Sequence, residues 1–312
     1  MVNKASLRIA YGETLVELGR QNDNIVVLEA DLGKSTMGTL FEEEFPERFF
    51  EMGIAEANMA SVAAGLSFTG KIPFLASFAV FCTARCYDQI RTSICIPAAN
   101  VKICGSSAGL SDFGDGSTHQ SIEDIAIMRV LPNMQVFSPV DAVQTRQIIR
   151  YMANHSGPMY LRVNRNDLPI LSDESVEFVP GQIYSVREGR DAVIFASGVM
   201  VSKALEAAEQ LEREGIQVKV VNVPSIKPID AKAVAKIASE VKGVVTAEEH
   251  SVMGGLGSVI SECLAPLIPK KIIFVGIQDC FGTSAENYDV LLEKYDLTAT
   301  RIVASVRESM KG

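Results

Sequence analysis

The chain lacks the marks of several function classes. Its 312 residues hold only three histidines, none at zinc-ligand spacing, and six cysteines with no CxxC pair. Zinc-ribbon and dithiol-redox readings are therefore excluded. No glycine-rich run ends in the lysine of a phosphate-binding P-loop. The opening MVNKASLRIAYGETLVELGRQ has no continuous apolar stretch and does not read as a signal peptide. Longer apolar stretches are broken by Gly, Pro or charge, so no membrane span is expected. Basic residues are in deficit, 29 Lys and Arg against 38 Asp and Glu, for a net charge of −9. Nucleic acid and anionic membrane are not expected partners. A local basic pocket for a phosphorylated metabolite stays open. Cys82 and Cys86 would share a helix face and read as buried free thiols, and the absence of a pairing pattern fits a reducing cytoplasm.

What is present is a regular alternation of helix and strand. The chain is 47% hydrophobic and long enough for two domains. ASLRIAYGETLVELGRQ has helical periodicity, and NIVVLEAD is an apolar run closed by turn chemistry. GIAEANMASVAAGLSFTG predicts a helix of small residues that can pack closely on a neighbouring backbone. IPFLASF predicts a strand, ARCYDQIRTSICI a helix, NVKICGSS a strand, and SIEDIAIMRVL a helix with Ser121 as N-cap. MQVFSPV, DAVQTRQIIRYMANH and PMYLRVNR continue as strand, helix, strand. Residues 168–190 are polar, hold two prolines and read as a linker. They separate a first domain, 1–167, from a second, 191–312. In the second, DAVIFASG, IQVKVVNV, GVVTAEE and KKIIFVGI predict strands between amphipathic helices, the first helix ending at Gly215. The expected class is α/β, with two three-layer domains and mostly parallel sheets.

The chemistry concentrates in GLSDFGDGSTHQSIED, Gly109 to Asp124. A Gly-Asp-Gly can begin a metal-diphosphate motif if an asparagine follows at a longer interval. Here the next one is Asn133, 18 residues beyond Asp115 and just before a predicted strand. The loop then reads as a tight turn or as one that aims His119 at a substrate. MGGLGS, in the second unit, lacks the dinucleotide pattern and predicts close helix–strand packing. His250 and Glu248 beside it read as structural or subunit-contact residues, and His155 as a surface turn residue.

GIAEANM, SFAVF, GDGSTHQSIEDIAIMRVLPNMQVFSPVDAVQT and ASGVMVSKALEAAEQLEREGI follow one another in the order found in transketolases. The chain resembles their pyrimidine-binding domain followed by their C-terminal domain, over essentially its whole length. The family's diphosphate-binding domain has no counterpart. The resemblance implies the C-terminal subunit of a split transketolase. It would act with thiamine diphosphate and Mg²⁺, the metal held mainly by a separate N-terminal subunit, in an α2β2 assembly.

The resemblance also assigns roles. Glu56 would be the shielded carboxyl that shares a proton with the aminopyrimidine ring. From its own surroundings it is a lone carboxylate on an apolar helix, at the surface or in a site. Phe81 would stack on that ring, Phe78 would line the pocket, and Asp31 would lie near the cofactor and the dimer contact. His119 would contact the donor sugar near its reacting carbonyl, as oxyanion donor or proton shuttle. Asp115 would recognise a sugar hydroxyl. Arg165, with Ser35 and Arg8, would take substrate phosphate. The chain departs from the family at Ala84, where many members carry tyrosine, and near Gly105, where a phosphate-binding histidine is usual. Its GDG loop is also longer. The alternatives are the β subunit of a 2-oxoacid dehydrogenase first component, a deoxyxylulose-phosphate-synthase-like half, and a non-catalytic subunit.

Overall fold

The computed structural model describes residues 3–311. The apolar runs form two sheets. The first runs Ser225–Lys227, Gln135–Phe137, Met159–Arg162, Lys102–Ser106, Ile72–Phe78, Ile25–Glu29, Phe49–Glu51. Neighbours in it are parallel except Ser225–Lys227, which pairs antiparallel with Gln135–Phe137. The second runs Ile273–Ile277, Gly243–Ser251, Ala192–Ala196, Val218–Asn222, Tyr184–Arg187, and is parallel except at the last pair.

The strands read as unbroken apolar runs because both of their faces are buried. Successive side chains alternate between two cores. Ile25 and Val27 enter one and Val26 and Leu28 the other; Ile194 and Ala196 enter the first, Val193 and Phe195 the second. Each core thus draws on both domains. A fully buried Leu, Ile or Phe contributes about 1.5–3 kcal/mol.

Helix ends follow the cap residues. Ser6 accepts from the Ile9 N–H at the start of Leu7–Gln21, and Asp141 from the Gln144 N–H at the start of Ala142–Asn154. These two helices pack together, and Arg146 and Arg150 of one pair with Glu13 and Glu17 of the other.

Three local expectations are revised, and one element was not expected. The segment read as a linker contains part of a strand, Asp167–Pro169, paired with Lys4–Ser6, and the whole edge strand Tyr184–Arg187 of the second sheet. Both are too short to show an alternating pattern. Ser121 does not cap a helix. Its backbone is bonded both ways to Gly109, and the helix starts later, at Asp124–Arg129. ARCYDQIRTSICI is not a plain α-helix: π-helical stretches Phe81–Arg85 and Ile90–Cys95 flank a short turn, Tyr87–Gln89. Lastly, Ser225–Lys227 crosses from the second domain to complete the first sheet. Lys227 Nζ there donates to the carbonyls of Arg129 and Leu131 at 2.9 and 2.6 Å. It satisfies carbonyls that the end of a helix leaves free.

Candidate active site

In a parallel sheet, ligand sites form beyond the carboxyl ends of the strands. Phe78 ends the strand Ile72–Phe78, and Phe81 follows it. Asp31 and Ser35 follow Ile25–Glu29, Glu56 follows Phe49–Glu51, the His119 loop follows Lys102–Ser106, and Arg165 follows Met159–Arg162. These expected residues therefore share one edge of the sheet.

Glu56 opens the helix Glu56–Phe68, whose buried positions are Glu56, Met59, Ala60, Ala63 and Ala64. That spacing is one face of the helix, and Glu56 lies on it, although apolar residues such as Val62 and Leu66 also stand off that face. Glu56 is buried, at 4% exposure, so it is not a surface residue of that helix. Its partner is Arg85, whose Nη1 donates to Glu56 Oε1 at 2.7 Å. The Arg85 guanidinium also lies over the Phe81 ring, 4.0 Å from its centroid. Phe78 and Phe81 are near-parallel with centroids 6.0 Å apart. The His119 ring meets Phe81 edge-on at 5.2 Å and Phe78 at 6.1 Å. Its Nδ1 is 2.9 Å from Thr118 Oγ1. Glu56, Phe78, Phe81 and His119 are thus linked in one cluster. A buried carboxylate beside an aromatic face suits a flat, nitrogen-bearing ring.

The second domain holds the histidine loop in place. Glu249 Oε1 accepts from the Leu110 N–H at 2.8 Å, and Gln120 Nε2 donates to Asp112 O and Thr283 O. The Ala285 N–H donates to Phe113 O at 2.8 Å. Gly116 has φ +76°, and a Cβ there would stand 2.8 Å from Ser284 N. Any larger residue would be both strained and blocked.

Arg165 lies beside this cluster, with its Cζ 5.7 Å from the Phe78 centroid. Its side chain pairs with Asp112 Oδ2 at 2.7 Å, its N–H donates to Ser111 Oγ, and its carbonyl accepts from Arg8 Nε at 3.1 Å. Arg8 Nη1 donates to the carbonyl of Ser35, so Ser35 joins the group through its backbone. Burial and the Arg165 charge bring Arg8 below the ordinary arginine range. Burial pushes the Asp112 carboxyl up, against the pull of Arg165. Asp112, which sequence reasoning missed, is thus the buried loop carboxylate on Arg165; Asp115, expected at the sugar, is exposed. The only available signal was the acidic residue before Phe-Gly-Asp-Gly. Asp31 is also exposed, at φ +59°, with its N–H on Glu51.

Other motifs prove structural. Glu248 accepts from the N–H groups of Leu256 and Gly257, so it fills the N-terminus that MGGLGS would offer to a phosphate. His250 is buried, with Nε2 accepting from the Ala126 N–H, and desolvation lowers it to about 4. His155 stacks on Tyr151. Asn133 donates to Cys95 O, in the turn before its strand. Among the described residues, no three His, Cys, Asp or Glu side chains are arranged to hold a metal ion, and no helix is long and apolar enough to cross a membrane.

Two family descriptions match: transketolase, pyrimidine binding domain, over residues 3–170, and transketolase, C-terminal domain, over residues 181–302. The chain is 43% identical over 308 residues to a protein of Methanocaldococcus jannaschii described as a transketolase C-terminal section, covering 98% of this chain and 96% of that one. It is equally 43% identical, over 302 residues, to a 6-deoxy-6-sulfo-D-fructose transketolase subunit of Clostridium sp. (strain MSTE9), with 97% and 94% covered. A solved structure described as a split gene transketolase, inactive beta4 tetramer, superposes with a TM-score of 0.89 and 48% identity over 99% of both chains. The chain belongs to the transketolase family, and its two α/β domains are that family's pyrimidine-binding and C-terminal domains.

Proposed function

We propose that this chain is the C-terminal subunit of a two-subunit, thiamine-diphosphate-dependent transketolase. With a separate subunit that holds the diphosphate and Mg²⁺, it moves a two-carbon ketol unit from a ketose to an aldose. Two copies of each chain form the working assembly. The observation that carries this reading is the buried Glu56 carboxylate, linked through Arg85 to the Phe81–His119 pair.

When bound, thiamine diphosphate supplies a carbon nucleophile and an electron sink. The chain's own residues orient and protonate around it. Glu56 shares a proton with the pyrimidine ring nitrogen, and its burial keeps water from competing for that bond. Phe81 offers a ring face worth about 1 kcal/mol beyond area burial, and Phe78 supports it. Asp31 borders the cofactor and the subunit contact. His119 donates to the sugar oxygen that gains charge, or moves a proton at that oxygen. Asp115 accepts from a sugar hydroxyl. Arg165 and Arg8, with Ser35 behind them, face the anionic end of the sugar, and Asp112 aims Arg165.

The test is reconstitution. The purified chain should show negligible ketol transfer, and adding the diphosphate-binding subunit should restore it. Robust activity of the lone chain, or pyruvate decarboxylation without ketol transfer by the pair, would overturn the reading.

A further inference from the structure

Arg85 engages both halves of the proposed ring grip at once. Its Nη1 lies 2.7 Å from Glu56 Oε1, and its Cζ lies 4.0 Å from the Phe81 centroid. A guanidinium is a flat cation with N–H donors along its edge. It stacks on an aromatic face and donates to a carboxylate, the same two contacts assigned above to an aminopyrimidine. The Arg85 side chain is 49% exposed while that of Glu56 is 5% exposed. The arginine therefore reaches in from solvent and can leave without disturbing a core. Glu56 cannot follow it, and an unpaired buried carboxylate is costly. Departure of the guanidinium therefore calls for another donor in its place. Arg85 also ends the π-helical stretch Phe81–Arg85. Such wide turns recur at functional sites.

We propose that Arg85 is a latch over the aminopyrimidine half-pocket: in the free chain its guanidinium occupies Glu56 and Phe81, and the cofactor binds by displacing it. This rests on the roles given to Glu56 and Phe81 under Proposed function. A latch lowers apparent affinity by the fraction of chains in which it is open. Removing an arginine that held the bound cofactor would weaken binding; removing a latch strengthens it, so the sign decides.

The experiment is calorimetric titration of thiamine diphosphate, with Mg²⁺ present, into the reconstituted pair. It uses wild type, Arg85→Ala, Arg85→Lys and, as control, the exposed Arg91→Ala. The expected result is on the order of tenfold tighter binding for Arg85→Ala, a smaller gain for Arg85→Lys, and no change for Arg91→Ala. Thermal unfolding of the Arg85→Ala chain alone should start lower than wild type, because Glu56 loses its partner, and should gain more from the cofactor in the pair. Equal or weaker binding by Arg85→Ala, or equal tightening by Arg91→Ala, overturns the latch and leaves the transketolase reading standing. Failure of the wild-type pair to bind thiamine diphosphate overturns both.

Discussion

Arg165 places Nη1 2.7 Å from Asp112 Oδ2 and lends its carbonyl to Arg8. Asp112 lies in the histidine loop, which the second domain fastens, so the guanidinium's aim depends on both domains. Asp112→Ala should raise the KM of the reconstituted pair for a phosphorylated sugar about tenfold, with kcat nearly unchanged. Arg165→Ala should raise it about 10- to 100-fold, as loss of charged hydrogen bonds predicts. Steady-state kinetics checks both. An unchanged KM in Arg165→Ala removes that residue from substrate recognition.

Glu56→Gln keeps the size of the side chain and removes the shared proton. Turnover of the pair should fall by about 10²–10⁴-fold, the range for a positioned acid or base. Circular dichroism should show an intact fold. Full turnover would mean that the carboxylate serves only the helix.

Stability should fall as pH rises from about 4.5 to about 7. Burial raises Glu248 and Glu249 from 4.5 to about 7, so across that window the folded chain keeps protons that the unfolded chain has released. His250, lowered by burial from 6.5 to about 4, acts in the opposite direction, because there the unfolded chain holds the proton. Two glutamates outweigh one histidine, and each uncompensated proton is worth about 1.4 kcal/mol per pH unit. Above about 7 the glutamate effect ends, and Lys102, which burial lowers to about 7, makes stability rise with pH because there the unfolded chain holds the proton. Urea midpoints should therefore be lower at about pH 7 than at about pH 5, and Glu249→Gln should shrink the difference. A higher midpoint at pH 7 contradicts this assignment.

Lys227→Met removes two hydrogen bonds to carbonyls of the other domain. The expected loss is about 1–3 kcal/mol. It should appear in a single calorimetric transition, since both cores draw on both domains. Two separated transitions in the wild-type chain would show that the domains unfold independently.

Much of the fold is legible from local pattern. Apolar runs such as IVVLE and AVIFA are short, rich in β-branched residues and bounded by turn chemistry, so they read as strands buried on both faces. Burial of Glu56 was not legible in this way, because apolar residues surround the whole helix and no stripe marks its inner side. Ser225–Lys227 was not legible: three residues beside a proline carry no period, and the pairing with Gln135–Phe137 is long-range. Arg85 was not legible either, because a π-helical turn, unlike an α-helical one, aims its side chains in directions that sequence spacing does not give. Asp112 and Asp115 lie in one irregular loop, and only tertiary contacts show which of them is buried.

The crossing strand sets a limit on dissection. A cut through residues 170–183 severs the covalent tie but leaves Ser225–Lys227 stitched into the other half's sheet. A first half made by itself would present the bare edge of Gln135–Phe137, an adhesive surface for other chains. Module exchange with another family member therefore has to carry residues 225–227 along with the first domain, or swap the whole chain.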